Sequence, residues 1–164
     1  MEQKAVRLQS DFEYYCQVLG RSLSVRTWDR TIADLDLTSC SFVERRKRLK
    51  ALAQIRKLNP TLKVTLETVE RYQAIEKIAT LPDGTKGTDM YQAVLGLRHL
   101  SEVQFRRWVE SSGIKYGRNS QYSGTELKAI VQQLIIRLVS KPELVCFSKK
   151  MSSQQKGALF LWTN

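Results

Sequence analysis

Few residues in this chain are equipped for bond-making chemistry. Its one histidine, His99, lies between Arg98 and Leu100. A histidine base needs a partner that orients it and tunes its pKa, and no pattern around His99 supplies one. It reads as a turn or interface residue. Cys16, Cys40 and Cys146 are widely spaced and form no C-x-x-C pair. They read as reduced thiols used as small core residues, not as zinc ligands or a redox couple. The nearest carboxylate pairs are Asp34 with Asp36 and Asp83 with Asp89. Neither comes with the Glu-x-Lys of a restriction-type nuclease, and Asp34 and Asp36 read as turn or cap residues. Gly84-Thr85-Lys86-Gly87 is too short for a phosphate-cradling P-loop. The G-x-S-x-G, H-x-E and P-C-x-x-C patterns do not occur. The expectation is a non-catalytic protein without a metal or cofactor.

Positive charge is what the chain has in quantity. Lys and Arg number 27 against 16 Asp and Glu, a net charge of +11 with a pI near 9.8. A polyanion is the first partner to consider. The excess is local. Residues 42–58 hold seven basic residues and one acidic, and residues 101–164 hold ten and four. On a helix, Arg46, Lys50 and Lys57 share one stripe, with Lys47 beside it. Such a stripe repels itself unless an anion lies along it, and phosphate contacts from it would be blind to sequence. A solvated face is the alternative reading. A second candidate is the loop Lys115-Tyr116-Gly117-Arg118-Asn119-Ser120-Gln121-Tyr122. Cations and aromatics alternate there, a mixture suited to phosphates and stacked bases. Equally, the tyrosines lie back on the core. Arg106 and Arg107, next to Trp108, extend that surface. Lys86, and a patch of Lys149, Lys150 and Lys156, are lesser phosphate candidates.

The elements that must position these residues are helical. Ser41, Ser101, Ser123 and Ser152 are each followed three residues later by Glu or Gln, the capping-box pattern. Helices are predicted over 3–19, closed by Gly20; within 25–38; from 42 to Leu58, stopped by Asn59-Pro60; and over 66–80. Others follow the Pro82–Gly87 turn as far as Arg98, run from 102 to about 112, run from 124 to the Lys141-Pro142 stop, and close the chain through Trp162. The clearest has Leu127, Ile130, Val131, Leu134, Ile135, Leu138 and Val139 on one face. The expected fold is an all-α, single-domain bundle of seven or eight helices spanning 1–164, with the 82–87 turn as the one place for an internal division. Neither a signal peptide nor a membrane span is expected, since the N-terminus lacks an apolar segment and apolar runs are short.

A helix-turn-helix register can be laid over residues 89–110. It puts Ala93 and Val103 inside and turns Gln104, Arg106 and Arg107 toward a major groove. Its turn glycine falls one place early, at Gly96.

In size, charge and helicity, together with the closing segment Ser153-Gln154-Gln155-Lys156-Gly157-Ala158-Leu159-Phe160-Leu161-Trp162, the chain resembles the small subunits of multi-subunit, Cascade-like CRISPR effector complexes. The equivalent C-terminal domain of their large subunits is similar. The resemblance implies a cytoplasmic, non-catalytic subunit that holds the backbone of a guide RNA–target DNA duplex or of the displaced strand. Its partners would be the other effector subunits and several copies of itself. Arg46, Lys47, Lys50, Lys57, Arg106, Arg107, Lys115 and Arg118 are the residues expected to touch phosphates. A helix-turn-helix regulator of duplex DNA, and an adaptor for an acidic protein, are the alternatives.

Overall fold

The computed structural model describes residues 6–95 and 100–140. The fold is all-α, with seven α-helices and a two-stranded ribbon among the described residues. The order is α1 (Gln9–Leu19), α2 (Val25–Asp34), a 3-10 turn (Leu37–Ser39), α3 (Phe42–Leu58), α4 (Leu66–Ala79), β1 (Thr85–Lys86), α5 (Gly87–Leu95), α6 (Glu102–Glu110), β2 (Gln121–Tyr122) and α7 (Gly124–Val139).

Serine hydroxyls start four of these helices. Ser24, Ser41, Ser101 and Ser123 each accept the backbone N–H three residues on, at 3.1–3.2 Å. At Ser101 and Ser123 the return bond from Gln104 and Glu126 completes the box. At Ser41 only the forward half is present. The fourth predicted box, Ser152 with Gln155, lies outside the described residues, as do its helix, His99 and Cys146. Gly20 closes α1 with φ 83°, its N–H on the Cys16 carbonyl.

The 25–38 stretch does not form one helix. Leu35 and Leu37 are both buried, and residues two apart cannot face the same way on a helix. The chain breaks instead at Asp36, in left-handed backbone at φ 51°, whose carboxylate accepts the Ser39 hydroxyl at 2.8 Å. The reading of Asp36 as a turn residue matches this geometry.

Packing divides the chain into two compact units, with the boundary between Glu70 and Arg71 inside α4. In the first unit α1 lies against α3. Trp28 is fully buried, 5.2 Å from the Phe12 ring, and its indole N–H donates to the Arg7 carbonyl at 2.6 Å. Leu35, Leu37, Leu49, Leu52 and Ile55 fill the rest of that core.

The second unit gathers Ile75, Ile78, Met90, Val94, Phe105, Val109, Ile130 and Leu134 around buried Tyr116 and Tyr122. The Pro82–Gly87 turn lies within this unit. It is held there by antiparallel pairing of β1 with β2, Thr85 opposite Tyr122, and by the Asp83 carboxylate accepting the Gly124 N–H at 2.7 Å. Gly87 touches the 116–120 loop so closely that a Cβ there would overlap the Gly117 carbonyl. Gly87→Ala should therefore cost about 1–3 kcal/mol through overpacking. Thermal melting would show this as a lowered midpoint, and an unchanged midpoint would mean that the loop yields freely.

Candidate nucleic-acid interface

Among the described residues α3 is the most basic element, and the structure sorts its charges by type. Its arginines turn inward. Arg45 and Arg46 both reach Asp11 of α1, with Nε to carboxylate distances of 2.8 and 2.9 Å. Asp11 is only 3% exposed, so this is a buried carboxylate held by two guanidiniums. Arg46 also donates to the Ser10 hydroxyl at 2.8 Å and lies over the Tyr14 and Phe42 rings, 4.3 and 4.5 Å from their centroids. Arg45 donates to the Cys40 carbonyl, and Arg48 to the Leu35 carbonyl just past the end of α2. Arg56 bonds the Leu62 carbonyl. Burial pushes the neighbouring Tyr15 hydroxyl above its ordinary range, against the pull of Arg56. Planar guanidiniums with several fixed donors suit such sites.

This corrects the expectation for Arg46. Its guanidinium fastens α1 to α3 and is not an open phosphate contact.

The lysines turn outward. Lys47, Lys50 and Lys57 are exposed, and none makes an ion pair among the described residues. With exposed Val43 and half-buried Gln54 they form a stripe at steps of four, three, four and three residues. Lys47 to Lys57 spans about 15 Å along the helix, room for several phosphates of one strand. The predicted stripe is thus present, with Lys47 in place of Arg46.

The second unit carries the other four predicted contacts. Arg106 and Arg107 are exposed on α6, and Lys115 and Arg118 are exposed in the loop that follows. Arg106 lies 3.4 Å from Glu110, and Arg118 lies 2.9 Å from Glu102. Both pairs are open to solvent, so each is worth little and a phosphate can compete for the guanidinium. Lys115 and Arg107 have no ion pair among the described residues.

The loop tyrosines are not stacking platforms. Tyr116 is 4% exposed and Tyr122 2%. The Tyr116 hydroxyl donates to the Gly87 carbonyl at 3.2 Å, and the Tyr122 hydroxyl accepts from Gly117 and donates to Lys115. Burial pushes the Tyr116 pKa up to about 12, and the Glu102 carboxylate adds to the shift. These rings hold the loop onto the core.

The helix-turn-helix register also fails on burial. It requires Val103 inside, yet Val103 is 57% exposed and Phe105 and Val109 take the core face of α6. Residues 96–99, where its turn would fall, lie outside the described residues.

Asp11 is the residue the sequence reading passed over. The signal was present: a carboxylate four residues before Tyr15, on the apolar side of an amphipathic helix, calls for a cationic or hydrogen-bonding partner. Among the described residues no group of three or more His, Cys, Asp or Glu is placed to hold a metal, and no helix is long and apolar enough to cross a membrane. Cys16 and Cys40 are half-buried free thiols. No protein-family model, curated protein or solved structure matches the chain.

Proposed function

We propose that the chain is a non-catalytic module that holds a nucleic-acid backbone along the lysine face of α3. Arg106, Arg107, Lys115 and Arg118 act as further contacts. One observation carries this reading: α3 directs its arginines into the protein and leaves Lys47, Lys50 and Lys57 in one outward stripe with no ion-pair partner among the described residues. Like charges on one helix face repel, and an anion laid along them relieves that repulsion. Lysine is a point charge on a flexible stem, which suits phosphate contact that ignores sequence. The net charge of +11 supplies long-range attraction to a polyanion.

Under the resemblance to CRISPR small subunits, the backbone is that of a guide–target duplex or displaced strand. Base pairing with the guide reads the sequence. The large subunit and further copies of this chain are then the protein partners, in the cytoplasm.

Fluorescence anisotropy with labelled single-stranded RNA, single-stranded DNA and duplex DNA across a salt series tests the reading. Affinities for unrelated sequences should agree within a few-fold and fall steeply as salt rises. A salt-resistant preference for one duplex would replace it with a regulator. No binding at low salt would replace it with an adaptor for an acidic protein.

A further inference from the structure

A cleft of about 220 Å³ opens on the second unit, lined by Arg71, Leu100, Gln104, Arg107 and Trp108. Gln104, Arg107 and Trp108 stand at i, i+3 and i+4, so they share one face of α6. Among the described residues, no carboxylate lines it.

The cleft is braced from behind. Trp108 meets Phe105 edge-on at 6.2 Å, and Phe105 is itself packed by Tyr91 at 5.3 Å and Tyr116 at 5.4 Å. The Tyr91 hydroxyl donates to the Leu100 carbonyl at 2.5 Å, which ties Leu100 to the same aromatic cluster. Gln104 is oriented by the helix cap. Its Oε1 accepts the Ser101 N–H at 3.0 Å, so its amide NH2 remains to donate elsewhere. Arg107 is exposed and without an ion pair among the described residues.

An indole platform, an oriented amide donor and an open guanidinium are together what one nucleotide requires. We infer that this cleft takes a single unpaired base of a nucleic-acid strand. Trp108 and Leu100 meet the face of the base, the Gln104 amide donates to an acceptor on its edge, and Arg107 pairs with the adjoining phosphate. The volume is below the roughly 300–1,000 Å³ of ordinary small-molecule pockets, in keeping with one base. Bases stacked in a duplex cannot enter, whereas a single strand can splay one out. Every base has a flat face and an edge acceptor, so the cleft selects single-strandedness more than sequence. The inference rests on the nucleic-acid reading above, but not on the lysine face of α3.

The test compares an oligothymidylate with an abasic strand of equal length and charge, using the full chain. The wild type should bind the base-bearing strand about tenfold more tightly. Trp108→Leu should erase that preference and leave the abasic affinity unchanged. Trp108 also packs on the core, so Gln104→Glu serves as a second variant: it keeps the capping acceptor, removes the donor, and should reduce the preference. Equal wild-type affinity for the two strands would overturn the cleft and leave backbone binding standing. Failure of the wild type to bind either strand would overturn both.

Discussion

Changing Lys47, Lys50 and Lys57 together to glutamate should lower nucleic-acid affinity on the order of a hundredfold and reduce the salt slope by about three. Each lysine that pairs with a phosphate releases about one counterion, and reversal adds repulsion to the lost attraction. The fold should survive. All three side chains are exposed and unpaired among the described residues, and such surface changes stay within roughly 0.5 kcal/mol. Arg46→Glu is the contrasting variant. It sets a carboxylate against buried Asp11 and empties the site between Tyr14 and Phe42, so its effect should appear in the melting curve. Binding loss from the lysine triple with wild-type melting, and melting loss from Arg46→Glu, would separate the two roles. Wild-type affinity in the folded lysine triple would sink the interface.

The second large effect concerns Asp11. Asp11→Ala leaves Arg45 and Arg46, whose side chains are 19% and 26% exposed, without the carboxylate that compensates them. Removing one partner of a buried ion pair typically costs about 3–5 kcal/mol. That is a large share of an ordinary domain's stability, so the first unit should melt well before the second. Asp11→Asn keeps the shape and one acceptor and separates charge from packing. A shift under about 1 kcal/mol in Asp11→Ala would show that α1 and α3 hold together by apolar contact alone. Chemical denaturation followed by fluorescence of Trp28, which sits in the core of the first unit, reads this in a background where Trp108 and Trp162 are replaced by phenylalanine.

Local rules made the helices legible. A serine hydroxyl that satisfies an orphan N–H needs only its own turn, and Ser41, Ser101 and Ser123 behave as the spacing predicts. The 3.6-residue period located the core face of α7 for the same reason. Arg46 was not legible, because a helical wheel groups it with Lys50 and Lys57 but cannot show which side a neighbouring helix covers. That depends on α1 and its carboxylate, 35 residues away in sequence. The loop tyrosines failed as stacking residues for a similar reason: alternating Lys and Tyr looks the same whether the rings face solvent or the Gly87 backbone. Val103 is the converse case. Its apolar character fits an interior position, while Phe105 and Val109 occupy that face. Trp108 and Gln104 were visible in the sequence, yet only the fold brings Leu100 and Arg107 around them as a cleft.

The claim that the lysine face of α3 carries the nucleic acid is tested most directly by amine footprinting. The protein is acetylated with and without saturating single-stranded DNA, and each lysine is quantified by mass spectrometry. Lys47, Lys50 and Lys57 should be protected together in the complex. Equal labelling of these three with the strand bound would contradict the account.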